Sequence, residues 1–310
     1  MRGVRRRAGS RGDAAGVAFA ATLNRSPSAA DAVQTISTLL DPIAPGGYVA
    51  AGLPAIPLAD DVPAEGDAAG AVRHVLASAA GARARMAWTR ADTLAREGVA
   101  LARRLRIAAG PALIESAAAR IHAGRLDDAE TACAEALDDG DGPTRAAATI
   151  NLGIVAALRG DTDEALARFA AAEPADEWTH FGVAVNRSMA LAARLELPAA
   201  HAAAADALRL GRRARDDHRA ALGGIALACV HHARGTRNEA RTRVAEALRA
   251  VVRAGDRLRI VQCHYLLGEL AYEAEDGIRA GSHYRDGLAV AREAGAAPLV
   301  ELLNLRFEHR

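Results

Sequence analysis

From about residue 70 onward, apolar positions recur every three or four residues, and the runs are interrupted by clusters of Gly, Pro and Asp. This periodicity predicts antiparallel helix pairs over 70–84 and 86–105, 111–123 and 126–138, 144–159 and 161–172, 177–194 and 196–213, 217–234 and 236–253, and 257–274 and 276–294. One further helix is expected over Leu299–Phe307, as a cap or a truncated repeat. Residues 1–68 read differently. They hold Pro42, Pro45-Gly46-Gly47, Pro54, Pro57 and Pro63, and the acidic run from Asp60 to Asp67 has the composition of a linker. The chain therefore divides into a leader plus linker over 1–68 and a helical repeat region over 69–310.

The second region repeats itself. Gly124-Arg-Leu-Asp-Asp-Ala129, Gly160-Asp-Thr-Asp-Glu-Ala165 and Gly235-Thr-Arg-Asn-Glu-Ala240 are copies of one turn, and weaker copies end at Ala91, Ala200 and Ala280. These alanines are 38, 36, 35, 40 and 40 residues apart, the period of a solenoid of helix pairs. Twelve residues before each stands Ala79, Ala117, Gly153, Ser188, Ala228 or Gly268; seven residues after each stands Gly98, Ala136, Ala172, Ala207, Ala247 or Gly287. Every one is small, which lets two helix axes approach closely. Four residues after each alanine comes Ala95, Cys133, Phe169, Ala204, Val244 or Tyr284, completing one helix face.

This pattern is similar to the tetratricopeptide repeat (TPR) family, with small residues at positions 8, 20 and 27 of each unit and a repeat length closer to the longer bacterial examples. The resemblance covers roughly residues 70–295. It implies an all-α, right-handed α-solenoid of about six antiparallel helix pairs, whose concave face is lined by the first helix of each pair. In the family that face commonly grips an extended peptide or a partner helix. Asn151 and Asn186 fall at position 6 of consecutive first helices and are similar to the family's peptide-gripping asparagines. A side-chain amide both donates and accepts, so it can pair with a peptide backbone in either sense. A local amide contact between helices is the other role open to them. Position 6 elsewhere is Ala77, Glu115, Ala226 and Leu266, so the asparagine row is two residues long. Flanking groove positions are expected at Ile150, Ile154, Val185, Met189, Ile225, Cys229 and His232, and at Tyr265, Glu269 and Tyr272 in the last unit.

Composition supports helices that pack through small side chains. Alanine supplies 80 residues, aromatics only 3%, and lysine is absent, so all 39 basic residues are arginine. The formal net charge of +1 gives no general attraction to nucleic acid or to an anionic membrane. Five arginines within residues 1–12 are read as a solvated terminus. Ala14–Leu23 is too short and too weakly apolar for a signal peptide, and no stretch is apolar enough for a membrane span. Three widely separated cysteines imply no disulfide framework and fit a cytoplasmic location.

Motifs for chemistry are sparse. Cys229, His231, His232, Cys263 and His264 include zinc-type ligands, but neither Cys-x-x-Cys nor His-Glu-x-x-His is present, so no metal is expected. No Gly-x-Ser-x-Gly, P-loop or dinucleotide fingerprint occurs, and no cofactor is expected. Ser28–Leu40 followed by Ile43-Ala-Pro-Gly-Gly-Tyr-Val-Ala-Ala-Gly52 is similar to the late helix, turn and strand of S-adenosylmethionine-dependent methyltransferases, without the upstream segment that would hold the cofactor. The expectation is a non-catalytic scaffold or regulatory module that binds a protein or peptide in its concave groove. The alternatives are the C-terminal part of such a methyltransferase with a regulatory repeat domain, or a repeat regulator sensing a small ligand. Partner identity and oligomeric state are not readable from these residues.

Overall fold

The computed structural model describes residues 48–52 and 67–308. The basic start, the helix expected over 28–40 and most of the linker lie outside the described residues. Tyr48–Gly52 is described, and it is not the strand that its sequence suggested; among the described residues there is no strand.

Thirteen helices follow one another among the described residues. They are α1 (Ala68–Ala84), α2 (Trp88–Leu105), α3 (Gly110–His122), α4 (Leu126–Asp139), α5 (Gly142–Leu158), α6 (Thr162–Ala171), α7 (Glu177–Ala193), α8 (Leu197–Arg213), α9 (Asp217–Ala233), α10 (Arg237–Ala254), α11 (Arg257–Tyr272), α12 (Gly277–Glu293) and α13 (Ala297–Glu308). Each helix packs against the next, and each odd-numbered helix from α1 to α11 also touches the next odd-numbered one. The odd helices therefore form the inner row of an all-α solenoid of six helix pairs, and α13 closes its end against α12.

The physical basis is a repeated choice of small side chains. Ala91, Ala129, Ala165, Ala200, Ala240 and Ala280 are all completely buried, and so are Ala79, Ala117, Ser188 and Ala228 on the facing helices. The facing position is glycine where its partner is aromatic. A methyl group on Gly153 would lie 2.5 Å from the Phe169 ring, and one on Gly268 would lie 2.6 Å from the Tyr284 ring. Size is thus exchanged across these two pairs, which keeps the pair spacing while one partner grows.

Helix ends are equally regular. Asp67, Asp141, Asp176, Asp216 and Asp256 cap α1, α5, α7, α9 and α11, each carboxylate accepting a backbone N–H three residues on. Every turn within a pair passes through a left-handed residue: Met86, Gly124, Gly160, Leu195, Gly235 and Glu275. The next residue's N–H then bonds a carbonyl five residues back, at 2.9–3.0 Å in all six turns, the bond that closes a Schellman end. Three of the six therefore hold a non-glycine residue in a conformation that costs roughly 1–2 kcal/mol.

A buried carboxylate ties the first two pairs together. Asp92 of α2 accepts from Ser116 Oγ at 2.6 Å, Arg120 Nε at 2.9 Å and Arg125 Nη2 at 2.7 Å. Burial alone would raise its pKa; these donors outweigh it and hold the carboxyl below its ordinary value.

Candidate peptide groove

The inner helix row is crossed by the chain's own Tyr48–Gly52. Asn186 of α7 donates from Nδ2 to the Val49 carbonyl at 2.9 Å, and its Oδ1 accepts the Val49 N–H at 2.7 Å. Asn151 of α5 treats Ala51 in the same way, donating at 3.0 Å and accepting at 2.8 Å. Both asparagines are completely buried. Alternate residues of the segment thus have both backbone polar groups satisfied by a side-chain amide, as a neighbouring strand would do. These pairs bridge 137 and 100 residues of sequence, so neither asparagine serves as a local amide contact between helices.

An arginine borders each end of the segment. Arg259 of α11, itself buried, donates from Nη2 to the Tyr48 carbonyl at 2.9 Å and from Nη1 to Gln262 Oε1 at 2.7 Å. At the other end, Gly52 lies against the Arg83–Glu115 ion pair, whose Nε and Oε1 are 2.7 Å apart. A methyl group at Gly52 would come within 2.8 Å of both Arg83 Nη2 and Glu115 Oε2. Glu115 occupies the same repeat position on α3 that Asn151 and Asn186 occupy on α5 and α7. Three consecutive inner helices therefore meet the segment with the same position, in the order Gly52, Ala51, Val49. The segment runs against the direction of the repeats.

Side chains fill what the backbone pairs leave. Tyr48 is completely buried, and its ring lies 6.4 Å from that of Phe169. Its hydroxyl has no hydrogen-bond partner, and burial pushes its pKa well up. Beside Val49 and Ala50 a cavity of about 330 Å³ remains, with Arg83, His122, Trp178, His218, Asp256 and Arg259 among its walls. His218 Nε2 and Asp256 Oδ2 are 2.9 Å apart. Burial would raise the Asp256 carboxyl, but His218 and Arg259 hold it below its ordinary value. His122 is buried with Nδ1 unpartnered. Burial, reinforced by the nearby positive charges of Arg83 and Arg259, lowers its pKa to about 3, so it is neutral. Burial also lowers Arg259, outweighing the attraction of Asp256.

The other groove candidates are distributed more widely. Ile150, Ile154, Val185, Met189, Ile225 and Cys229 are buried in the same core that holds Tyr48–Ala51. His232 Nε2 lies 2.8 Å from Glu273 Oε1 at the far end of α11. Tyr265 and Glu269 are engaged with the two last helices: the Tyr265 ring is 6.2 Å from that of Tyr284 and accepts Arg306 at its hydroxyl, and Glu269 accepts the Tyr284 hydroxyl. Tyr272 is half exposed. Arg83 and Arg259 were not among the expected groove residues. Nothing in the periodicity marks them, since their role depends on which segment fills the trough.

Among the described residues, one group brings three metal-type donor atoms together: His264 of α11 with His283 and Asp286 of α12, all within 4.8 Å of one another. The two Nδ1 atoms are 3.4 Å apart, and burial lowers both imidazoles. Cys133, Cys229 and Cys263 are free and buried. Burial pushes the Cys133 thiol up to about 12 and Cys263 further still, so these two are not thiolates at neutral pH. Among the described residues no helix is long and apolar enough to cross a membrane.

No family model matches the chain, and no curated protein matches it. Solved structures do, among them the crystal structure of BtubC (BKLC) from P. vanneervenii, at 18% identity and a TM-score of 0.47, covering 73% of this chain and 92% of that one.

Proposed function

We propose that this chain is a non-catalytic peptide-binding module of the tetratricopeptide repeat type, acting as a scaffold or regulatory domain in the cytoplasm. One observation carries the reading. The inner helix row holds the chain's own Tyr48–Gly52 through its backbone, with Asn186 on Val49 and Asn151 on Ala51. Such a grip is largely independent of side chains, so it suits a guest supplied by another protein as well as by this one. The helices that carry the asparagines are already packed, which lowers the ordering cost of binding. Glu115 and Asp256 beside the trough are engaged by Arg83 and by His218, and burial favours the neutral thiol form of Cys133 and Cys263; these groups are poorly placed for acid–base or nucleophilic work.

The test must allow for the resident segment. A mutation that weakens the resident and an added peptide equally leaves the apparent affinity unchanged, because the competitor weakens too. Ala51→Pro removes the N–H that Asn151 accepts and so vacates the trough. A labelled synthetic peptide of residues 46–54 is then titrated into the full-length Ala51→Pro chain by fluorescence anisotropy. Saturable binding, reduced at least about tenfold when Asn151→Ala and Asn186→Ala are added, supports the reading. Binding that ignores both asparagines refutes it.

A further inference from the structure

The last helix pair carries side chains that the other five do not. His264 stands on α11, four residues before the small residue Gly268, where the other units hold Val75, Leu113, Thr149, Ala184 and Gly224. His283 stands on α12, three residues after Ala280, where the other units hold leucine, alanine or arginine. Packing of the solenoid therefore calls for a histidine at neither place. Asp286 follows three residues after His283, so the two share one helix face. The three side chains converge. The two Nδ1 atoms are 3.4 Å apart, His264 Nδ1 is 3.8 Å from Asp286 Oδ2, and all three donor atoms lie within 4.8 Å of one another. Bonds of about 2.0–2.1 Å in a tetrahedral zinc site place neighbouring donors about 3.4 Å apart. The histidine pair already has that spacing, and Asp286, with its side chain 55% exposed, has room to turn through the remaining distance. His264 is backed by Gly287, where a methyl group would come within 3.3 Å of its Cβ. Among the described residues Asp286 pairs with His264 and with no arginine. Arg279, whose charge reaches His283, is paired with Asp276 at 3.4 Å.

We infer that His264, His283 and Asp286 form a binding site for a zinc-type divalent transition-metal ion, which ties α11 to α12. Two imidazoles and one carboxylate are a donor set for a borderline ion such as Zn²⁺; Mg²⁺ and Ca²⁺ take oxygen ligands instead. Three protein ligands leave a fourth coordination position, on the side where Asp286 meets solvent, and the same side gives the ion its entry path. Both helices are already packed against each other, so the donors are positioned by the fold rather than gathered by the ion. Among the described residues none of Cys229, His231, His232 and Cys263 joins the group. Of the zinc-type residues that stand out in the sequence, His264 alone does, and its partners come from the next helix. The site makes no use of the peptide groove, so its test is independent of that reading.

The experiment is titration calorimetry of zinc chloride into the full-length chain after treatment with a chelator, with magnesium chloride as the comparison. One Zn²⁺ per chain is expected to bind, saturating at micromolar concentration, and Mg²⁺ is expected not to bind. Loss of an outer hydrogen-bond partner alone costs a metal site about 10–100-fold in affinity, so His283→Ala or Asp286→Ala, each removing a ligand, should weaken binding at least about tenfold. Asp286→Ala changes an exposed helical side chain and should leave the circular dichroism spectrum unaltered, so its result stands even if a histidine variant unfolds. Co²⁺ in place of Zn²⁺ should give the intense visible absorption of a four-coordinate ion, and Asp286→Ala should diminish it. His201→Gln with His231→Gln, at the other pair of neighbouring imidazoles, should leave the affinity unchanged. No zinc binding at micromolar concentration overturns the inference. So does binding that survives His283→Ala and Asp286→Ala together, or that is abolished by the His201 and His231 substitutions, because the ion is then held elsewhere.

Discussion

Gly153→Ala offers a quantitative test of how the helix pairs are packed. Gly153 lies inside α5, where replacing glycine by alanine should stabilise by about 1 kcal/mol through backbone entropy. Here the new methyl carbon would lie 2.5 Å from Phe169 Cε1, 2.8 Å from Cδ1 and 3.1 Å from Cζ. Ordinary carbon contacts begin near 3.5 Å, so the ring must move by about 1 Å. Phe169 is buried against Tyr48 and has little room to yield. Overpacking of this kind costs about 1–3 kcal/mol, so the net effect should be a loss of up to ~2 kcal/mol. Gly224→Ala is the control. It also lies in an inner helix, α9, but its added methyl would meet Ala247 Cβ at an unstrained 3.9 Å. It should stabilise by up to ~1 kcal/mol. Urea denaturation of both variants gives the signs, and a double-mutant cycle with Phe169→Leu should show Gly153→Ala rescued when the ring is cut back. Stabilisation by Gly153→Ala equal to that by Gly224→Ala would refute the size exchange across α5 and α6.

Further outcomes follow from single residues. Leu195→Gly should be neutral or stabilising by up to ~1 kcal/mol in urea melts, because Leu195 is 70% exposed and holds a φ of 60°; a loss above 1 kcal/mol would contradict the turn geometry. Tyr48→Phe should not weaken docking of the segment, since it removes a buried hydroxyl that has no partner; faster exchange of the Val49 amide in that variant would contradict this. His122 titrates near 3 in the folded chain against 6.5 unfolded, so the unfolded state takes up the proton first as pH falls. Its contribution to stability is complete above about pH 6.5 and is lost from there down to about pH 3, at up to ~1.4 kcal/mol per unit. His122→Gln should flatten the stability profile between pH 6.5 and 5, where His231, His264 and His283 supply the remaining slope; an unchanged slope would refute it.

The solenoid was legible because its packing is local. Small residues recur at set positions within each repeat, and Ala91 through Ala280 set a frame that the fold fills with buried contacts. Turns without glycine were harder: Met86, Leu195 and Glu275 adopt the same left-handed geometry with no sequence sign of it. For the groove, the frame singled out Asn151 and Asn186, and it also put Glu115 at the same position, where the sequence showed only a break in the asparagine row. What periodicity could not reveal is the guest. The bond from Arg259 to Tyr48 spans 211 residues, and the resemblance to a methyltransferase segment marks the Tyr-Val-Ala-Ala-Gly run as a strand rather than as a guest. Extended backbone needs partners, and here side-chain amides supply them. The last inner helix departs for a different reason. Gly268 admits the Tyr284 ring, and α13 adds Arg306, which together draw Tyr265 and Glu269 into the end of the array.

The most direct measurement is amide exchange at Val49 and Ala51 in the full-length chain, compared with the chain carrying Asn151→Ala and Asn186→Ala. If the asparagines hold the segment, both amides exchange slowly in the wild type and lose that protection in the double variant, while the amides of α5 and α7 keep theirs. Exchange at the rate of an unstructured peptide in the wild type, or protection that survives loss of both asparagines, would contradict the account.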